Sequence, residues 1–358
     1  MEKGQIGGSF MSEQISVHIL DSTLRDGSHA LSHQFTAEQV ARVARGLDQA
    51  GIEMIEVSHG DGLGGSTVTY GFSKQSELEL LEAASSVIER GKLAVLLLPG
   101  IGTKDDLKMA RDLGAKVAQI ATHVTEADVA QQHIELAKSM GMEVVGMLML
   151  SHMGSPEKIA EQGKLMERYG ADVVLVTDSA GALLPPTVRE RVRALRDAIQ
   201  IGVGFHGHNN LSMAVANSIT AIEEGARWID ACTCGLGAGS GNTPTEVLVA
   251  VLDKLGYSSG IDLWKIMDVA EDIVRPLMQK PVRIGKASLT MGYAGVYSSF
   301  LLHADKAAEQ FGVDPRDVLV EVGKRRAVGG QEDILVEIAM TLAQKNAEVE
   351  AIPSRRLG

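Results

Sequence analysis

Trp228–Asn242 reads WIDACTCGLGAGSGN, an apolar run that passes into four glycines over seven residues. A glycine-rich turn after a strand marks dinucleotide binding when it follows the first strand of a doubly wound sheet as G-x-G-x-x-G. Here the run follows the eighth strand candidate, and no such motif follows the first. Its place in the count of strands therefore decides the fold.

Upstream, short β-rich runs alternate with amphipathic helical stretches. The strand candidates are Ile15–Asp21, Glu53–Gly60, Leu93–Gly100, Lys116–His123, Glu143–Leu150, Asp172–Asp178 and Gly202–His208, with Trp228–Gly235 as the eighth. Helical patterns fill the gaps: Thr36–Gly51, Gln75–Arg90, Thr103–Leu113, Glu126–Met140, Pro156–Tyr169, Pro186–Ile199, Leu211–Gly225 and Pro244–Leu255. Thr36 and Ser155 read as N-caps, Pro156 as a first helical residue and Gly51 as a C-cap. Eight such units predict a (β/α)8 TIM barrel over residues 13–257. The period is helical from 258 to 358, which reads as a C-terminal extension too short for a second catalytic domain. Residues 1–12 read as a disordered N-terminal extension.

Acidic residues outnumber basic ones by 46 to 34, for a net charge of −12. That argues against nucleic acid, whose phosphates demand a basic face. Aromatics are 4% of the chain, too few for base-stacking surfaces. No apolar run reaches the roughly 18 to 20 residues that span a bilayer. Cys232 and Cys234 are the only cysteines; they make no disulfide framework and point to a reducing cytoplasm. By strand period the two share a face, where barrel packing explains them.

Barrel chemistry gathers at the C-terminal ends of the strands. Arg25, Asp26 and His29 follow the first strand, His59 and Asp61 the second, Asp178 and Ser179 the sixth, and His206 and His208 close the seventh. His206 and His208, two apart on a strand, project to one side, while Val203 and Phe205 face the helices. Paired imidazoles suit a divalent metal, although two partly solvated loop histidines would read the same. Asp26 can supply a third ligand, because the first and seventh strands of a closed barrel have one strand between them. Two histidines and a carboxylate with open positions accept Mn2+, Zn2+, Fe2+ or Co2+. Arg25 is a fixed cation for a carboxylate or a developing enolate oxygen. His29 is an imidazole, a side chain suited to taking a hydroxyl proton. His33 reads as a solvated loop residue.

DSTLRDG at Asp21–Gly27, TDSAG at Thr177–Gly181, HGHNN at His206–Asn210 and GLGAGSGNTPTE at Gly235–Glu246 resemble the motifs of the DRE-TIM metallolyases. RDGSHALSHQF, the loop Ser58–Ser73 and MGYAGVYSSFLLHA resemble the class II pyruvate aldolase branch, the 4-hydroxy-2-oxovalerate aldolases. The resemblance implies metal-dependent retro-aldol cleavage of 4-hydroxy-2-oxopentanoate to pyruvate and acetaldehyde, in meta-cleavage catabolism of aromatic compounds or steroids. It implies Asp26, His206 and His208 as holders of Mn2+, with Co2+, Zn2+ or Mg2+ as substitutes. His29 is then the base, Arg25 steadies the enolate, and Ser179 contacts the substrate carboxylate or keto group. Tyr297 would reach in from the extension, and Leu96 and Leu98 would line the aldehyde end. Asn242 lies where related lyases place a further metal ligand. Family members hand the aldehyde to an acylating dehydrogenase, so the resemblance also implies a hetero-oligomer containing a homodimer of this chain, with 258–358 as its communication and assembly domain.

Two rivals share the barrel: a Claisen-type acyl-CoA synthase or lyase, and a non-catalytic scaffold subunit. Lyases with an active-site cysteine carry a GGCP-like loop after the eighth strand, where this chain has GAGSGN. The intact set of Arg25, Asp26, His29, His206 and His208 speaks against a scaffold. A non-haem iron oxygenase would use similar ligands, but on a β-helix that the α/β alternation excludes.

Overall fold

The computed structural model describes residues 15–297, 300–328, 331 and 333–351. The extension expected at 1–12 lies outside the described residues. Strands β1 (His18–Leu24), β2 (Met54–Val57), β3 (Lys92–Leu97), β4 (Val117–His123), β5 (Glu143–Met149), β6 (Val173–Asp178), β7 (Gly202–Gly207) and β8 (Trp228–Ala231) follow one another around a closed barrel. Every neighbouring pair is parallel, and β8 closes on β1 with Leu20 opposite Asp230. The helices between and after them are α1 (Ala37–Ala50), α2 (Glu77–Ser85), α3 (Lys104–Asp112), α4 (Gln131–Ser139), α5 (Pro156–Tyr169), α6 (Pro185–Ala198), α7 (Ala214–Glu223) and α8 (Thr245–Leu255).

Local chemistry sets the helix ends. Thr36 accepts from the Gln39 amide and completes a capping box at α1, and Gly51 ends that helix in the left-handed region. Ser155 caps α5 with Pro156 behind it. Helix α2 is shorter than the periodicity of Gln75–Arg90 predicts. The carboxylate of buried Asp48 accepts from the amides of Arg90 (3.0 Å) and Gly91 (2.7 Å), which pulls that segment out of the helix.

Two apolar layers separate cleanly. Outward-facing Ile55, Val57, Val203 and Phe205 pack under the helices. Inward-facing Leu20, Met54, Leu96, Val117, Met147 and Leu175 fill the barrel, with Trp228 against them. Trp228 stacks on His18, ring centroids 4.4 Å apart, and fits because β7 turns glycines toward it. A Cβ at Gly204 would lie 2.5 Å from the Trp228 carbonyl oxygen.

Strand β8 stops at Ala231 rather than at Gly235. The Thr233 amide turns back to β1, donating to Thr23 Oγ1 (2.7 Å) and Asp21 Oδ2 (3.1 Å). Cys234 consequently leaves the strand with φ of 59°, so the two cysteines do not share a strand face. Cys232 is fully buried, and Cys234 Sγ donates to the Ala270 carbonyl.

The first helical segment of the extension belongs to the barrel core. Helix α9 (Leu263–Asp268) and the π-turn Val269–Val274 place Ile266, Val269 and Val274 in the core under the barrel helices, where Gly46 of α1 leaves room for Val269 and Ile273. A separate core begins at Met291 and is built by α10 (Lys286–Ala294), α11 (Phe300–Phe311), α12 (Pro315–Arg325) and α13 (Ile334–Ala351). The barrel core therefore reaches past residue 258, and Leu277, Met278 and Val282 still pack against it. No helix among the described residues is long and apolar enough to cross a membrane.

Replacing Gly204 by alanine forces its new methyl onto the backbone of β8. Gly204→Ala is expected to destabilise the fold by about 1–3 kcal/mol, read as a lower urea midpoint at unchanged slope; an unchanged midpoint would show that the barrel floor has slack.

Candidate active site

Arg25 is the residue after β1, and it turns inward under the barrel mouth with 4% of its surface exposed. Its Nε donates to Glu56 Oε2 at 2.6 Å and its Nη1 to Asp26 Oδ2 at 2.6 Å, while Nη2 lies 3.7 Å from Asp230 Oδ2. Nη2 has no hydrogen-bond partner, nor has Glu56 Oε1. Three buried carboxylates thus surround one buried guanidinium. Burial alone would raise the Asp26 carboxyl, but Arg25 and the nearby imidazoles of His208, His29 and His206 hold it well below the carboxylate range. Burial dominates at Glu56 and, despite Arg25, lifts it to about 7.

His206 and His208 sit above this layer at the end of β7. His206 Nδ1 lies 3.0 Å from Asp230 Oδ2, and His208 Nδ1 lies 3.4 Å from the Ala238 carbonyl, within reach to donate. His208 is thereby held through Nδ1, leaving Nε2 as the nitrogen that can ligate, whereas His206 Nδ1 lies close to the Asp230 carboxylate without a hydrogen bond. Burial lowers His208 to about 4, which keeps it neutral as a ligand must be. At His206 burial also disfavours the charge, but the Asp230 carboxylate outweighs it and raises the group. One donor atom each from Asp26, His206 and His208 fall within 4.8 Å of one another, all buried. The residues therefore fit a divalent cation. The Asn242 amide nitrogen donates to Asp26 Oδ1 at 2.9 Å and leaves its oxygen without a partner.

The glycines of the opening stretch serve this geometry. A Cβ at Gly237 would come within 2.7 Å of Asp26 Oδ1 and closer still to Asn242, and one at Gly239 within 2.7 Å of Asn210 Oδ1. The loop lies flat on the carboxylate, and the Ala238 amide donates to it at 3.2 Å. No phosphate is needed to explain these glycines.

His29, Leu96, Leu98, Ser179 and Tyr297 line the same pocket as Arg25, Asp26, His206 and His208, whereas Asp178 lies outside it, accepting the Ala182 and Leu183 amides. Ser179 Oγ accepts from the Leu150 amide at 3.0 Å, which leaves its proton free to donate into the pocket. Tyr297 arrives from the extension. Burial, with Asp61 and Asp26 adding, pushes its phenol up, so it stays protonated. His152 Nε2 donates to the Gly295 carbonyl at 2.9 Å and holds that segment in place.

Other residues take places that the sequence reading does not give them. Glu56 and Asp230 are interior charges on strands that read as ordinary core; their parity with inward Met54 and Trp228 is the available signal. Met147 also lines the pocket, as does Asp61, which the sequence places after the second strand. His33 is not solvated: it is 7% exposed and stacks on His59 with centroids 3.8 Å apart. Burial, then His29 and His59, lower it to about 3.

The HMGL-like family matches residues 16–273, and the DmpG-like communication domain matches 282–344. A 4-hydroxy-2-oxovalerate aldolase of Moorella thermoacetica is 62% identical over 330 residues, covering 92% of this chain and 98% of that protein. One from Geobacillus stearothermophilus is 61% identical, covering 94% and 99%. Among solved structures, HMG-CoA lyase from Brucella melitensis superposes with a TM-score of 0.63 at 19% identity, over 74% of this chain and all of that one. The carboxyl transferase domain of Rhizobium etli pyruvate carboxylase gives 0.76 at 16%, over 96% and 63%. These two likenesses concern the fold alone. Identity near three residues in five along nearly the whole length is of another order, and the chain belongs to the 4-hydroxy-2-oxovalerate aldolases, carbon–carbon lyases of the HMGL-like family.

Proposed function

We propose that the pocket cleaves 4-hydroxy-2-oxopentanoate by a retro-aldol reaction to pyruvate and acetaldehyde, with a divalent cation held by Asp26, His206 and His208. The observation that carries this reading is the Arg25 guanidinium. Two of its nitrogens are fixed by Glu56 and Asp26, and the third has no hydrogen-bond partner, lying 3.7 Å from Asp230 Oδ2. A preorganised donor with one free N–H suits an oxygen that gains charge during reaction.

His29 accepts the C4 hydroxyl proton as the C3–C4 bond breaks. The bonding pair passes into the pyruvate enolate, C4 becomes the aldehyde carbon, and a proton delivered to C3 completes pyruvate. Arg25 donates to the enolate oxygen throughout. Ser179 donates to the carboxylate or keto oxygen, and Tyr297 adds a neutral phenol donor from the opposite wall. Leu96 and Leu98 offer the aldehyde methyl an apolar surface. When bound, a cation such as Mn2+, with Co2+, Zn2+ or Mg2+ as substitutes, polarises the 2-oxo group and offsets negative charge.

The match of residues 282–344 to a communication domain supports a second element. Helices α10–α13 dock an acylating dehydrogenase that receives the aldehyde, in a complex where this chain is dimeric. Leu289 and Tyr293, one turn apart on α10 and largely exposed, offer an apolar face for it. The reaction then serves meta-cleavage catabolism of aromatic compounds or steroids in the cytoplasm.

EDTA-treated enzyme is expected to release no pyruvate from 4-hydroxy-2-oxopentanoate and to regain activity with Mn2+; turnover indifferent to both treatments overturns the metal assignment. Asp230→Asn removes the charge beside His206 Nδ1 and is expected to weaken Mn2+ binding by about 10–100-fold, measured by calorimetry; unchanged affinity would leave Asp230 without a role in holding the metal. Co-expressed with an acylating acetaldehyde dehydrogenase, the chain is expected to elute with it on sizing, and separate elution sinks the docking reading.

A further inference from the structure

A second group of ligating side chains lies near Asp26, His206 and His208. His29 sits within the turn after β1 and His33 just beyond it, and Asp61 follows β2. One donor atom from each falls within 4.8 Å of the others. Donors on a tetrahedral cation with bonds of about 2.1 Å stand roughly 3.4 Å apart, so small rotations close the set.

The surroundings are arranged as for a ligand set. Ser28 Oγ lies 3.0 Å from His33 Nδ1 and engages that nitrogen, leaving Nε2. His59 has both nitrogens in use: Nε2 donates to the Gly71 carbonyl at 3.0 Å, and Nδ1 accepts the Asp61 amide at 3.1 Å. It is therefore a wall rather than a ligand. It stacks on His33 and fixes the backbone of Asp61. Gly60 has no Cβ because one would lie 2.6 Å from His29 Nε2, so the β2 loop closes directly on that ring.

We propose that His29, His33 and Asp61 form a second divalent-cation site, with the same donor set of two imidazoles and a carboxylate as the first and therefore open to the same borderline ions, Co2+ and Zn2+ among them. A cation there occupies the His29 nitrogen. Where His29 is the base, excess cation shuts the enzyme down after the first equivalent has activated it. That consequence rests on the proposed reaction; the binding does not.

Co2+ titration of EDTA-stripped protein tests the site, followed by visible absorption and by metal content after dialysis. Wild type is expected to bind two equivalents. His33→Ala and, separately, His206→Ala are each expected to bind one, and the double variant none. Asp61→Asn, a milder change on a partly exposed residue, is expected to weaken the second equivalent at least tenfold while leaving the first. A single equivalent in wild type overturns the proposal, as does an unaltered second equivalent in Asp61→Asn. Two equivalents retained in His206→Ala but one in His33→Ala would sink the first site and uphold the second.

Discussion

The Arg25 guanidinium is what lets Asp26, Glu56 and Asp230 share the mouth of one barrel. Each carboxylate is taken out of water, and the loss of hydration is repaid only where a cation stands close with good geometry. Two of the three meet it at 2.6 Å and the third at 3.7 Å. One positive charge against three negative ones still leaves an excess of negative charge in a poorly solvated place. Glu56 relieves part of it by rising to about 7. The remainder is what a divalent cation at Asp26, His206 and His208 would offset. Charge balance and ligand geometry thus point to the same place.

That arrangement depends on the barrel closing in register. Asp230 reaches Arg25 because β8 pairs with β1, and its other face meets His206 because β8 also pairs with β7. Glu56 reaches it from the opposite neighbour, β2. A slip of one residue in any of these strands would turn an interior carboxylate out among the helices, where nothing compensates it. The glycine run Gly235–Gly241 then closes over Asp26 from the β8 side, adding the Ala238 amide and the Asn242 side chain as donors.

Much of this is legible in the amino-acid sequence. The alternation of strands and helices is long and regular, and residues after strand ends announce a barrel-mouth site. His206 and His208 can be paired by the two-residue period alone, and Val203 and Phe205 face the helices as that period requires. Glu56 and Asp230 escape because parity groups them with Met54 and Trp228 without saying which face of the strand is the inner one; only closure of the barrel assigns it. His33 escapes for a related reason. Its burial comes from the Ser58–Ser73 loop folding across it, with the Lys74 amide donating to its carbonyl at 3.1 Å, and no local pattern encodes a contact over some forty residues. The ends of β8 and α2 depart from the period where side chains, Asp21 and Asp48, capture backbone amides that regular structure would otherwise use.

The extension is tied to this chemistry through a few close contacts. Its own core starts at Met291 and is separate from the barrel core, and close fits lie between the two. Gly292 lies where a Cβ would come within 2.9 Å of Asn210 and Leu211, directly after the HGH segment. Ser240 of the glycine loop donates to Ser288 at 2.5 Å. His152, after β5, holds the Gly295 carbonyl, and Gly295 takes φ of 66° so that the chain can turn toward Tyr297. The loops that carry the candidate ligands are therefore the same loops that locate α10, and Tyr297 follows two residues beyond α10's glycine cap.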